Sequence, residues 1–324
     1  MSPLLSAIVI TRDTYEAVRP TVRHLRAQSL HDRMEVVLIA PSRGTLAEDA
    51  SELAAFQSVR IVELDDVRSE AAGYAAGIRA AAAPIVVFTE DHCYPGTGWA
   101  EALVRRHEGP WAAVGPVVAN ANGDGVVAWA DFLLGYGPWL DPTPAGPVEY
   151  LPGHNSSYKR DVLLAYEPGL EAWLDAESNL HWDLRARGHQ LYLEPAARTH
   201  HFNYSRVSAW LPATFFAART FAARRTRGWS FGRRLVYALG SPLIPAIRLG
   251  RCIRDFRRSR RRPSVLRILP AITLSLIVSS VGESMGYLFG AGDAPVRVSE
   301  YEFHRTRHVT SADRAAMAQA RFAE

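Results

Sequence analysis

VVFTEDHCYPGTGW, residues 86–99, carries an apolar, β-branched run straight into a glutamate, an aspartate and a histidine. A run of this kind suits a strand buried on both faces. The polar triplet at its end is either a solvated turn or a site that gathers negative or metal-binding groups in one small volume. The upstream sequence bears on the choice. SAIVIT (6–11), MEVVLIA (34–40), VRIVEL (59–64) and PIVVFT (84–89) are four such runs. Between them TYEAVRPTVRHLRAQ (14–28), LAEDASELAAFQ (46–57) and SEAAGYAAGIRAAA (69–82) space their apolar residues at three and four, which predicts helices. Strand and helix in alternation predict an α/β fold, a mostly parallel sheet with helices on both faces. Ligands of such sheets bind beyond the carboxyl ends of the strands, where Glu90, Asp91 and His92 stand.

Composition supports a large folded domain. The chain has 324 residues, 48% of them hydrophobic, enough for a sizeable core in one domain or a domain with an appendage. Two cysteines, Cys93 and Cys252, are too few for a disulfide framework and lack zinc-ligand spacing, which fits a reducing compartment. MSPLLSAIVITRD at the start has no basic region and no cleavage site, and is read as a first strand rather than a signal peptide.

Further along, WAEALVRRH (99–107) predicts a helix and WAAVGPVV (111–118) a strand. ADFLLGYGPWLDPTPAGPVEY (130–150) predicts a Pro- and Gly-rich connection that walls a substrate site. YLPGHNSSYKRDVLLA (150–165) predicts a loop and a helix start, for which Ser156 or Ser157 would be an ordinary cap. The stretch from Asp175 predicts a helix, a glycine stop at Gly188 and a strand ending in His200 and His201.

In order and spacing these motifs, over residues 5–205, resemble the family 2 inverting glycosyltransferases, which have the GT-A fold and use nucleotide-diphosphate sugars. The resemblance implies that Thr11, Arg12 and Asp13 line the nucleoside pocket. Glu90-Asp91-His92 occupies the place of the family's Asp-x-Asp motif, so Glu90 and His92, with Asp91 as a close alternative, would contact a divalent cation or the ribose. A carboxylate and imidazole set suits Mn²⁺ better than Mg²⁺. Gly153, His154, Asn155 and Ser156 would lie beside the donor sugar, with Lys159 and Arg160 as the basic pair. Glu177 falls where the family has its base, with Asp175 as backup; as plain residues both would also suit a helix N-terminus. The resemblance further implies a histidine ligand after the last strand. Adjacent residues in an extended segment point to opposite sides, so one of the pair can face the site, and spacing from Pro195 favours His201 over His200. Three departures stand out: Ala40-Pro41-Ser42 in place of paired aspartates, His92 in place of the second aspartate, and Ala176-Glu177 in place of Glu-Asp.

The last third changes character. The net charge of +4 conceals an arginine concentration between about residues 219 and 262. Apolar segments flank it: LVYALGSPLIPAIRLG (235–250) and VLRILPAITLSLIVSSVGESMGYLFGAG (265–292). The cleanest run of the second, Ile268 to Val281, is 14 residues, and extension would carry Glu283 into hydrocarbon, so interfacial or re-entrant helices are expected. The Arg251–Arg262 cluster would then meet anionic lipid. Nucleic acid explains the arginines but not the apolar flanks. The expected organisation is a GT-A domain over 1–205, a helical membrane-associated region over 206–292 and a tail over 293–324. The expected function is inverting transfer from a nucleotide sugar to a lipid-linked or cell-envelope acceptor hydroxyl, at the cytoplasmic face of the membrane. The alternatives are a non-catalytic GT-A scaffold, and a metal-independent transferase that steadies the diphosphate with His92 and Lys159 or Arg160.

Overall fold

The four apolar runs form β1 (Leu5–Ile10), β2 (Met34–Ala40), β3 (Ser58–Glu63) and β4 (Ile85–Thr89), each within one residue of the bounds read from the sequence. They pair in parallel in the order β3-β2-β1-β4. The computed structural model describes residues 2–259 and 263–319, so Arg260, Arg261 and Arg262 of the arginine cluster and residues 320–324 of the tail lie outside the described residues. The chain divides into two compact units, one of Met1–Ala119, Thr143–His201 and Met317–Glu324, the other of Asn120–Pro142 and Phe202–Ala316. These units differ in their bounds from the division drawn from the sequence: residues 120–142 fall in the second unit, which begins again at Phe202 and includes most of the expected tail.

In the first unit, β1 alternates its side chains between two helical layers. Leu5, Ala7 and Val9 join one core cluster with Val18, Val22 and Leu25 of α1 (Tyr15–Arg26). Each such aliphatic side chain, fully withdrawn from water, contributes about 1.5–3 kcal/mol relative to exposure. Leu46 and Leu53 reach the same cluster from α2 (Arg43–Leu46) and α3 (Ala50–Leu53). A single helix was expected over 46–57, but Ala47 takes a left-handed φ of 49° and Asp49 caps a new helix through the amides of Ser51 and Glu52. On the other face lies α4 (Glu70–Ala80), capped by Ser69. Its Gly73 and Gly77 rest directly on Ile10 and Ile8, where any Cβ would strike the isoleucine side chain. Tyr74 stacks on Phe88 of β4 at 4.3 Å between ring centroids.

Beyond β4 the sheet becomes mixed. Among the described residues it continues with β5 (Cys93–Pro95), β6 (Trp111–Asn120), β7 (Gly146–Val148), β8 (Ser157–Lys159) and β9 (Gln190–His201), in the order β4-β8-β6-β9-β5 with β7 beside β9. β8 runs antiparallel to β4 and β6, and β5 and β7 antiparallel to β9. The sheet is therefore mixed: β1 to β4 pair in parallel, while β8, β5 and β7 run antiparallel to their neighbours. Helix α5 (Trp99–His107) follows β5. Where a connection was expected, α6 (Val126–Tyr136) forms; apart from Asp131, VVAWADFLLGY is apolar on nearly all sides, and α6 belongs to the second unit. The first unit resumes with α7 (Arg160–Leu164), α8 (Leu170–Leu174) and α9 (Glu177–Ala186), which ends before Gly188 at a φ of 89°.

The second unit is helical: α6, α10 (Val207–Arg225), α11 (Phe231–Gly240), α12 (Ile244–Arg258), α13 (Val265–Phe289) and α14 (Ala294–Glu302). In place of the short interfacial or re-entrant pieces expected, 265–289 is one continuous 25-residue helix, the one helix among the described residues long and apolar enough to cross a membrane. Glu283 is buried in it but partnered, accepting from the Tyr287 hydroxyl at 3.1 Å with Arg248 at 3.8 Å. Gly282 and Gly286 bring α13 against α10 beside Ala218 and Ala222, and a Cβ on Gly286 would strike the Arg219 carbonyl. Because that obstacle is backbone, Gly286→Val is expected to destabilise the unit by roughly 3 kcal/mol. Thermal unfolding checks it, with Gly232→Ala, which has open space around it, as a neutral control.

Candidate active site

Glu90 follows β4 at the carboxyl edge of the parallel strands and is only 5% exposed. Several bonds hold it. The Thr21 hydroxyl of α1 donates to the Glu90 carbonyl at 2.8 Å, and the Thr89 hydroxyl donates to the Ile8 carbonyl at 3.0 Å. The Asn155 amide donates to Glu90 Oε2 at 2.8 Å. A carboxylate buried this deeply is tolerated only where partners replace water.

Two imidazoles face it. His92 Nδ1 lies 2.6 Å from Asp91 Oδ1; a carboxylate only accepts, so Nδ1 carries the hydrogen and Nε2 is turned toward Glu90 Oε1, 3.6 Å away. His201 arrives from the other side, because β9 pairs with β5 in the register Cys93↔His201, and its Nε2 lies 3.6 Å from Glu90 Oε2. The rings meet edge to face at 4.9 Å. At 3.6 Å neither nitrogen hydrogen-bonds the carboxylate, yet the three donor atoms lie within 4.8 Å of one another, a spacing that one cation can bridge. Asp91 thus sits where an outer carboxylate orients a ligating histidine. His200 pairs with Tyr94 instead, and burial, followed by Arg198 and His24, pushes its pKa down to about 4.

Glu90 also belongs to a second group with Glu70, the first residue of α4, and His154. His154 Nδ1 lies 3.3 Å from Glu177 Oε1 and 3.8 Å from Glu70 Oε2. Glu177 opens α9, and Gly153 makes room for it: a Cβ there would fall 2.5 Å from Glu177 Cγ. The candidate cation ligands and the candidate base are therefore contiguous. The Tyr74 phenol beneath is pushed far up by burial and then by Glu70, Glu90, Glu177 and Asp91, a measure of how much negative charge converges there.

The other expected residues fall as follows. Thr11 is buried just past β1 and its hydroxyl accepts from the Asp13 amide at 3.0 Å. Arg12 donates to the carbonyls of Val67 and Arg68, tethering the segment before α4. Asp175 closes α8. Lys159 and Arg160 require a correction. β8 runs back across the sheet, pairing Lys159 with Ile85 at the opposite end of β4 from Glu90, about 16 Å along the strand at its rise per residue. There Lys159 donates to the Gly109 carbonyl and Arg160 to those of Ile78 and Arg79. Both thus lie away from the Glu90 cluster, contrary to their expected place beside the donor, and the metal-independent alternative is left without a basic pair next to His92. Ser157 lies in β8 and caps no helix. Glu70 and Thr21 were not anticipated: one looked like an ordinary first-turn acid, the other like a helix-face threonine.

An α/β sheet with buried acids and histidines at its carboxyl edge is the layout of a group-transfer enzyme that handles a charged leaving group. The family described as Glycosyl transferase family 2 matches residues 6–166, and the chain belongs to that family through this domain. No curated protein sequence matches the chain. Solved structures similar to it include GalNAc-T7 with UDP, GalNAc and Mn²⁺ (16% identical, TM-score 0.48, 71% of this chain and 52% of that one). Others are the mannosyltransferase PcManGT from Pyrobaculum calidifontis in complex with GDP-Man and Mn²⁺ (14%, 0.46, 98% and 79%) and S. aureus TarS 1-349 (13%, 0.44, 87% and 90%). The chain spans about half the length of the first of these.

Proposed function

We propose that the protein transfers a sugar, with inversion, from a nucleotide-diphosphate sugar to an acceptor hydroxyl on a lipid-linked or cell-envelope glycan. The observation that carries this is the contiguity of Glu90, His92 and His201 with His154 and Glu177, at the carboxyl edge of a family 2 domain. One carboxylate and two imidazoles fit a divalent cation, Mn²⁺ better than Mg²⁺. When bound, the cation neutralises charge that develops on the departing diphosphate.

The chain's own residues do the rest. Glu177 accepts the acceptor's hydroxyl proton on a carboxylate oxygen as the acceptor oxygen attacks from the face opposite the leaving group. His154 fixes that carboxylate against Glu70. Asn155 holds Glu90, and Thr11, Arg12 and Asp13 border the nucleoside. The long apolar helix α13 and the arginine-rich helices before it support a reading in which the enzyme works at the cytoplasmic face of a membrane, on a lipid-linked acceptor. Calorimetry with UDP and GDP tests this: Mn²⁺-dependent binding of one is expected, and binding of neither would move the protein to a scaffold role.

A further inference from the structure

The second unit exposes large hydrophobic side chains along one continuous stretch. Phe231 (68% exposed), Val236 (67%) and Leu239 (72%) stand on α11, Leu243 (64%) on the turn after it, and Ile247 (58%) on α12. Phe231, Leu235 and Leu239 follow at intervals of four, one helix face. The opposite side of α11 is anchored inward: Arg234 donates to the carbonyls of Tyr287 and Leu288, and Ser284 donates to that of Ala238. The apolar face is thus held outward by contacts behind it.

Charge accompanies it. On α12 the exposed positions run from Ile247 to Arg251, Arg254 and Arg257, and Arg227 and Arg233 are exposed before and within α11. Asp255 is the only acid between Arg206 and Arg262, and Arg258 holds it at 2.8 Å. Trp229 lies under Arg233 at 4.0 Å.

We infer that α11, the Ser241–Leu243 turn and α12 dock in the plane of an anionic lipid surface, the apolar side chains entering the acyl boundary and the arginines meeting headgroup phosphates. This deepens the membrane reading above and rests on it for the source of the acceptor. A lipid surface fits both features at once. Nucleic acid would leave the apolar row in water. A second copy joined two-fold on this patch would set arginine against arginine with no acid to offset it. A crossing by α13 is the weaker fit, because its Gly282 and Gly286 side is packed on α10 and it carries Glu283, which is paired with Tyr287 and with Arg248 of α12.

The test is flotation of the full chain with phosphatidylglycerol–phosphatidylcholine vesicles, against phosphatidylcholine alone, for wild type and Val236→Asp/Leu239→Asp. The wild type is expected to float with the anionic vesicles and far less with the neutral ones, and the variant to lose about tenfold or more of that partition. Arg251→Gln/Arg254→Gln/Arg257→Gln, which leaves the apolar row intact, is expected to lose the preference for anionic lipid, and circular dichroism checks that both variants fold. Equal flotation of variants and wild type, or none by the wild type, overturns the proposal. So does a dimer in ultracentrifugation that the aspartate variant dissolves without any flotation. Nucleotide binding is read on the same samples: flotation without it removes the transferase and leaves the docking surface, and the reverse removes only the docking.

Discussion

Glu177→Gln is expected to lower glycosyl transfer by roughly 10³-fold while leaving nucleotide-sugar binding in place. The amide keeps the volume that Gly153 accommodates, and its carbonyl oxygen can still face His154, so the loop beside the donor is undisturbed. What the proposed mechanism would lose is the acceptor for the hydroxyl proton. The signature is therefore a fall in kcat with KM for the donor unchanged. Gly153→Ala should mimic it in part, since the added methyl would displace the same carboxylate. Turnover unchanged in Glu177→Gln would remove Glu177 from the mechanism.

The second large effect is at Glu90. Glu90→Gln keeps an oxygen to accept from Asn155 but removes the charge that a cation shared with His92 and His201 needs. A cation supplies several kcal/mol to a departing diphosphate, so activity is expected to fall about 10²-fold or more. Mn²⁺ binding by titration should weaken in parallel, while the unfolding midpoint stays near wild type. His201→Ala should share the defect and His200→Ala should not, because β9 turns only His201 toward Glu90. Full activity of Glu90→Gln in the presence of a chelator would exclude a cation held by these residues.

Part of this layout is legible in the sequence, for physical reasons. A strand buried on both faces must be apolar throughout, so β1 to β4 are visible as runs, and the acids after β4 are visible because they interrupt one. That one of His200 and His201 faces the site follows from alternation, and spacing from Pro195 favours His201. Lys159 and Arg160 show the limit: their place depends on β8 pairing antiparallel to β4, a choice made between segments some seventy residues apart. Glu70 is hidden for another reason. A glutamate after a serine cap is locally satisfied by the helix, and only the packing of α4 beside β4 brings it to His154. The aromatic, glycine-flanked segment of α6 looks like a connection until its helical neighbours bury it.

The most direct measurement is release of nucleoside diphosphate from a panel of nucleotide sugars by the purified full chain, in detergent, with Mn²⁺ and with chelator, each with and without a lipid-linked acceptor glycan. Mn²⁺-dependent release from one donor, lost in Glu177→Gln, is the predicted result. No release from any donor, together with no nucleotide binding in calorimetry, would contradict the assignment of this site to glycosyl transfer.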